Sequence, residues 1–205
     1  MSAGAKFTSV KLLIAVSSAS MTPARAAGRR LTVDDWIQAG FALLAEGGPN
    51  SLRIGTLCHR LGVTKGSFYW HFADLPAYRT ALLEAWGSLK DQERQQFENS
   101  SDVAPRERLH HMMQAVVRPQ QWALERAMRM WALTDEAVAA NVRKSDGRVL
   151  RAVYQAFIDA GFDADDAGVR SAVFFGAGMA VLHGSTPGDT PVEIQERFLD
   201  FVLRP

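Results

Sequence analysis

The chain has a single cysteine, Cys58, so it cannot form an internal disulfide, a composition that suits a reducing cytosol. Cys58 follows Leu57 in a helical apolar pattern and is expected to be a small buried side chain rather than a redox sensor. No apolar run approaches the ~18 residues of a membrane span, so no membrane association is expected. Neither charge is in excess: 23 Lys and Arg against 22 Asp and Glu leave a formal net charge of +1, compatible with nucleic-acid binding but no argument for it. After residue 31 there is no convincing strand alternation, which leaves an all-α fold.

The parts of an enzyme are also missing. There is no His-Glu-x-x-His, Cys-x-x-Cys or Gly-x-Ser-x-Gly pattern. His110 and His111 are adjacent, so on a helix they diverge and make a poor chelate. Gly176-Ala-Gly178 lies in an apolar helix without the preceding strand of a dinucleotide site. Asp165 and Asp166 read as a helix start, not as an acid/base pair. No catalytic residue, metal or cofactor is expected.

What is present is helix. The 205 residues, 47% hydrophobic, suffice for one large or two small domains with a real core. Thr32-Val-Asp-Asp35 resembles a capping box, with Val33, Ile37, Phe41 and Leu44 as the apolar stripe behind it, and Gly47-Gly48-Pro49-Asn50 ends that helix. Asp74 and Pro76 start a long helix to about residue 97. Asn99-Ser-Ser-Asp102 and Pro105 break the chain again, and helices are expected over 106–118, 120–134 and 135–160. Asp163-Ala-Asp-Asp166 opens the next helix. Ser185–Asp189 is a loop, and Thr190-Pro191-Val-Glu193 combines an N-cap, an N1 proline and a capping-box glutamate for the last one. The first 30 residues are expected to be a poorly ordered basic tail. Lys11–Val16 only faintly imitates a signal peptide, Met21 is an alternative start, and Arg25, Arg29 and Arg30 form an arm suited to DNA backbone or minor groove, or simply to solvent.

Residues 51–72 carry the clearest signal. Ile54, Leu57 and Leu61 recur at helical spacing, Gly62 supplies a tight turn, and Thr64 stands where an N-cap is wanted. In the short helix that follows, at about 100° per residue, Phe68 and Phe72 share the inward side. Gly66, Ser67 and Trp70 point away, Tyr69 and His71 lie on the flanks, and Lys65 projects from the first turn. An ordinary helical hairpin has no need of two bulky aromatics and a histidine on the sides that do not pack. A helix lying in a major groove can use them, with its outer face on base edges and its flanks on phosphates.

Gly62-Val-Thr-Lys-Gly-Ser-Phe-Tyr-Trp-His-Phe72 resembles the recognition-helix signature of the tetracycline-repressor (TetR/AcrR) family of bacterial transcription regulators, and the similarity extends over 31–61 and 77–86. By that resemblance Lys65, Gly66, Ser67 and Trp70 are the base-facing residues and Tyr69 and His71 the phosphate contacts, with Thr56 a weaker backbone contact; Thr64, the N-cap, is counted in the same DNA-binding set. Where the family usually places a lysine after this helix the chain has Leu75, with Arg79 one turn later as a substitute. The resemblance implies a three-helix helix-turn-helix DNA-binding domain over 31–76 and a C-terminal helical ligand-binding and dimerisation domain over 77–205, in a cytoplasmic homodimer.

Two further patterns fit that frame. Ala172, Gly176, Ala180 and Gly184 repeat every fourth residue and give one helix a smooth stripe. The stripe suits either a dimer interface, as the resemblance implies, or tight packing inside one subunit. Trp86, Met113, Trp131, Tyr154, Phe157 and Phe174, with Met112, Met128 and Met130, supply large soft side chains, and His110, Tyr154 and Gln114 supply polar groups. They read as core or as the lining of a pocket for a small hydrophobic effector, which the resemblance implies. The resulting expectation is a ligand-responsive regulator, a repressor by analogy, that binds a palindromic double-stranded operator. The alternative is a helical dimeric small-molecule-binding protein without specific DNA binding.

Overall fold

The computed structural model describes residues 30–98, 103–116, 119–184 and 191–205. The arginine arm apart from Arg30, the break at 99–102, Arg118, the 185–189 loop and Thr190 lie outside the described residues. Those residues form nine α-helices and no strand. In chain order they are α1 (Val33–Gly47), α2 (Ile54–Leu61), α3 (Lys65–His71), α4 (Leu75–Glu98), α5 (Pro105–Val116), α6 (Pro119–Ala132), α7 (Glu136–Asp159), α8 (Ala164–Gly184) and α9 (Val192–Val202).

The helix starts follow local chemistry. Thr32 and Asp35 form the expected capping box: the Thr32 amide donates to Asp35 at 2.8 Å and the Asp35 amide to Thr32 Oγ1 at 3.3 Å. Asp74 accepts from the Ala77 amide at 2.7 Å, and Asp163 from the Asp166 amide at 2.9 Å. Asp135, just outside α7, accepts from Ala137 and Val138. At α9 the expectation is corrected by one position: Pro191 is the N-cap, with no side-chain capping bond, rather than the first helical residue. In α1 the buried stripe is Trp36, Ile37, Phe41 and Leu44, whereas Val33 is 40% exposed. Val33 is the first residue of α1.

Two buried clusters organise the molecule. The first joins α1–α4 to Leu124, Met128 and Trp131 of α6 and to Val138 and Val142 of α7. It therefore runs across residue 76, and α6 packs directly on α1. The second joins Leu109 and Met112 of α5, Val153, Ala156 and Phe157 of α7, Phe174 of α8, and Leu199 and Val202 of α9. A half-buried charge relay ties α4 to α6 and α7. Lys90 pairs with Glu125 at 3.1 Å, Glu125 with Arg129 at 3.0 Å, and Arg129 with both oxygens of Asp146 at 2.9 and 2.5 Å. Burial works against the Arg129 charge, but Asp146 and Glu125 outweigh it and hold its pKa above the ordinary arginine value. The relay links the C-terminal half of α4 to α6 and α7.

Candidate nucleic-acid interface

The turn before α3 is set by Gly62, the left-handed C-cap of α2 with φ 67°. The Gly62 amide donates to His59 O at 3.2 Å and the Val63 amide to Cys58 O at 3.0 Å, which closes the helix. Thr64 then occupies the N-cap of α3, but its hydroxyl makes no capping bond; the Ser67 amide instead donates to Thr64 O at 3.0 Å. The expected side-chain cap is corrected, and the Thr64 hydroxyl lies on the exposed side. Cys58 is buried behind this turn as expected, and burial raises its thiol pKa despite nearby Lys65.

Below α3 lies an aromatic pedestal. Phe68 is fully buried, Phe72 nearly so, and Trp36 meets both edge-on at 5.5 and 6.4 Å. Tyr78 of α4 closes the group, 5.0 Å from Phe72, and its buried hydroxyl donates to Trp36 O at 2.9 Å. Burial pushes the Tyr78 phenol far above its usual pKa, so it stays a neutral donor. Tyr78 carries the angle between α1 and α4, a role missed in the sequence because one tyrosine in an amphipathic helix has no distinctive pattern.

Above the pedestal the predicted residues of α3 are exposed or half-buried. Lys65, Gly66, Tyr69 and Trp70 are exposed, Tyr69 at 56% and Trp70 at 70%. Ser67 and His71 are half-buried, and His71 leans on Trp36 at 6.2 Å. Thr56 of α2 is also half-buried. A Cβ added to Gly66 would meet only Thr64 Oγ1, at an ordinary 3.6 Å. Nothing among the described residues therefore requires glycine there. Leu75 packs against the first cluster, so the position of the family's lysine is given over to core. Arg79 does not replace that lysine: its guanidinium lies over the Trp131 ring at 5.8 Å, engaged with the helical domain.

Residues 37–74 match the family described as bacterial regulatory proteins, tetR family. Over this segment the chain is similar to that family. No curated protein matches the sequence. Among solved structures, a transcriptional regulator from Rhodococcus sp. Rha1 is 19% identical, with a TM-score of 0.65 over 84% of this chain and 94% of that one. Reduced NemR of E. coli is 21% identical, with a TM-score of 0.61 over 83% and 94%. FadR from Bacillus subtilis, solved with stearoyl-CoA, is 12% identical, with a TM-score of 0.56 over 84% and 98%. These likenesses carry the fold, an N-terminal helix-turn-helix followed by a helical domain. TetR-family proteins are DNA-binding regulators rather than enzymes.

The helical domain holds a cavity of about 220 Å³ between α5, α7, α8 and α9. Met113 and Phe174 line it as predicted, together with Met112, Val153, Met179 and Phe198. Among the described residues Gln195 is its one polar lining side chain, and no charged side chain lines it. Gln114 and His110 form a second layer: Gln114 Nε2 donates to Gln195 Oε1 at 2.7 Å and lies 3.2 Å from the His110 ring nitrogen. Four other predicted lining residues are corrected. Trp86 and Trp131 are buried in the first cluster, where α6 packs on α1. Phe157 is fully buried within the second cluster, and half-buried Tyr154 packs on that cluster without lining the cavity. The contribution of α9 was missed, since Gln195 and Phe198 sit in a short helix whose partner no sequence spacing reveals.

On α8 the small-residue stripe faces outward: Ala172, Gly176, Ala180 and Gly184 are all exposed. A Cβ at Gly176 or Gly184 would meet nothing within 4 Å. Val169 and Val173 beside the stripe are 66% and 45% exposed, and Ile194 and Phe201 of α9 are 52% and 64% exposed. Packing among the described residues of the subunit therefore does not account for the stripe. Among the described residues no cluster could hold a metal ion, and no helix is long and apolar enough to cross a membrane.

Proposed function

We propose that this protein is a cytoplasmic transcriptional repressor that binds a palindromic operator as a homodimer and releases it when a neutral, apolar effector fills the cavity. Residues 31–76 act as the DNA-binding unit and 77–205 as the regulatory and dimerisation unit. The observation that carries this reading is the outward display of Lys65, Tyr69 and Trp70 over a fully buried Phe68. A helix anchored from below with bulky aromatics above is shaped to lie in a groove. Thr64, Lys65, Gly66 and Ser67 form the part nearest base edges, Tyr69 and His71 reach the flanking phosphates, and Thr56 adds a backbone contact. The exposed stripe on α8 supports dimerisation with the neighbouring face of α9, since two smooth helices bury apolar surface when paired. Two recognition helices would then read half-sites one helical turn, or a multiple, apart.

The experiment has two arms. An operator is first selected from a random duplex pool by the full chain. Lys65→Ala/Tyr69→Ala is expected to lower affinity for it at least ~30-fold, by losing contacts worth about 1–3 kcal/mol each, while the dimer persists. Unchanged affinity contradicts the assignment. The cavity arm uses the neutral dye N-phenyl-1-naphthylamine as probe. Ala177→Leu, which fills space in the cavity wall, is expected to weaken dye binding about tenfold or more and leave operator affinity intact, because a tenfold change needs only ~1.4 kcal/mol of lost apolar contact. In the parent protein, dye and operator are expected to weaken one another by the same factor. Equal dye affinity in parent and variant contradicts the effector site.

A further inference from the structure

Arg30 lies outside the helix-turn-helix, forty positions from Trp70, yet its guanidinium carbon sits 4.6 Å from the centre of the Trp70 ring. The start of α1 brings them together. The Thr32–Asp35 capping box fixes the chain two residues after Arg30, and Trp36 packs against Phe68, His71 and Phe72 beneath α3. Both members of the pair are exposed on the surface that carries Lys65 and Tyr69. Among the described residues no carboxylate pairs with Arg30, so the ring contact is its only partner. A guanidinium stacked on an aromatic face keeps its N–H donors directed outward in its own plane, ready for a forked acceptor.

We infer that Arg30 is a DNA-contacting residue positioned by Trp70, and that the pair delivers its guanidinium to a backbone phosphate at the wall of the major groove. The inference rests on the DNA-binding reading above and extends the interface beyond the helix-turn-helix. A backbone contact follows from place: Trp70 is in the last turn of α3, whereas the N-terminal residues of a recognition helix meet base edges. The role of Trp70 is then a perch as much as a contact surface. Lysine cannot replace Arg30 fully, because its ammonium lacks the planar fork.

The test is a double-mutant cycle on the full chain with Arg30→Ala, Trp70→Ala and both, titrating fluorescent duplexes across a salt series. Arg30→Ala is expected to lower affinity about fivefold to tenfold on selected and random duplexes alike, and to reduce the salt slope by about one. Adding it to Trp70→Ala is expected to change affinity less than about twofold, since the perch is already gone. Trp70→Phe, which keeps a ring, is expected to restore the response to Arg30→Ala. Multiplying losses overturn the pair. A loss confined to duplexes with one particular guanine overturns the phosphate assignment in favour of base reading, and no loss with Arg30→Ala overturns the contact altogether. If the parent chain prefers no sequence, the repressor reading falls and takes this inference with it. If the parent is specific but the losses multiply, only this inference falls. Melting curves of all four proteins are expected to coincide, as both side chains are exposed.

Discussion

Gly40→Ala is expected to destabilise the protein by about 2–4 kcal/mol, combining an overpacked core with a lost buried hydrogen bond. A Cβ at this position would lie 2.0 Å from Tyr78 Oη and 2.9 Å from Leu82 Cδ1. Tyr78 cannot swing aside, because its ring is held between Phe68 and Phe72 and its hydroxyl is bonded to Trp36 O. The better helix propensity of alanine returns only ~1 kcal/mol. For a chain of this length the melting midpoint is expected to fall by roughly 5–15 °C. Tyr78→Phe in the same chain removes the atom in closest conflict, leaving Cζ at 3.1 Å, and should recover part of the loss. The pedestal also holds α3, so operator binding is expected to fail at temperatures where the parent still binds. A Gly40→Ala protein that melts with the parent would show that α1 and α4 do not approach as described.

Gly176→Glu is expected to convert the proposed dimer to monomers and to lower operator affinity by more than ~100-fold, because one half-site contact must then work alone. The described residues leave room for the side chain, as none lies within 4 Å of its Cβ position. The effect therefore comes from placing a carboxylate between paired α8 helices, where it would be desolvated without a partner. Ala140→Glu on the exposed face of α7 is the matched control and is expected to leave assembly unchanged. Sedimentation equilibrium reads the mass directly. A Gly176→Glu protein that remains a dimer would remove α8 from the interface.

The legible parts of this molecule were those set by neighbours in sequence. The Thr32–Asp35 box, the Gly62 turn and the inward Phe68–Phe72 pair depend on a few adjacent residues, and each lies where the pattern put it. The same holds for the outward Lys65, Tyr69 and Trp70, since one helical wheel fixes both faces. Assignments that depended on helix crossings failed. Trp86, Trp131 and Phe157 share the chemistry of a pocket lining, but only the packing of α6 on α1 and of α7 on α8 decides that they are core. Arg79 was misjudged for the same reason, because the Trp131 ring that holds it is 52 positions away. The cavity residues on α9 and the Arg30–Trp70 stack are likewise long-range contacts, with no spacing to announce them.

The central claim is that α3 is turned outward to engage DNA. Its most direct test is the affinity of the full chain for its selected palindrome and for a random duplex of equal length, measured from low to physiological salt. The account predicts a preference of at least ~1,000-fold at physiological salt and affinity for both duplexes that falls steeply as salt rises. Equal affinity for the two duplexes, or binding indifferent to salt, would contradict it.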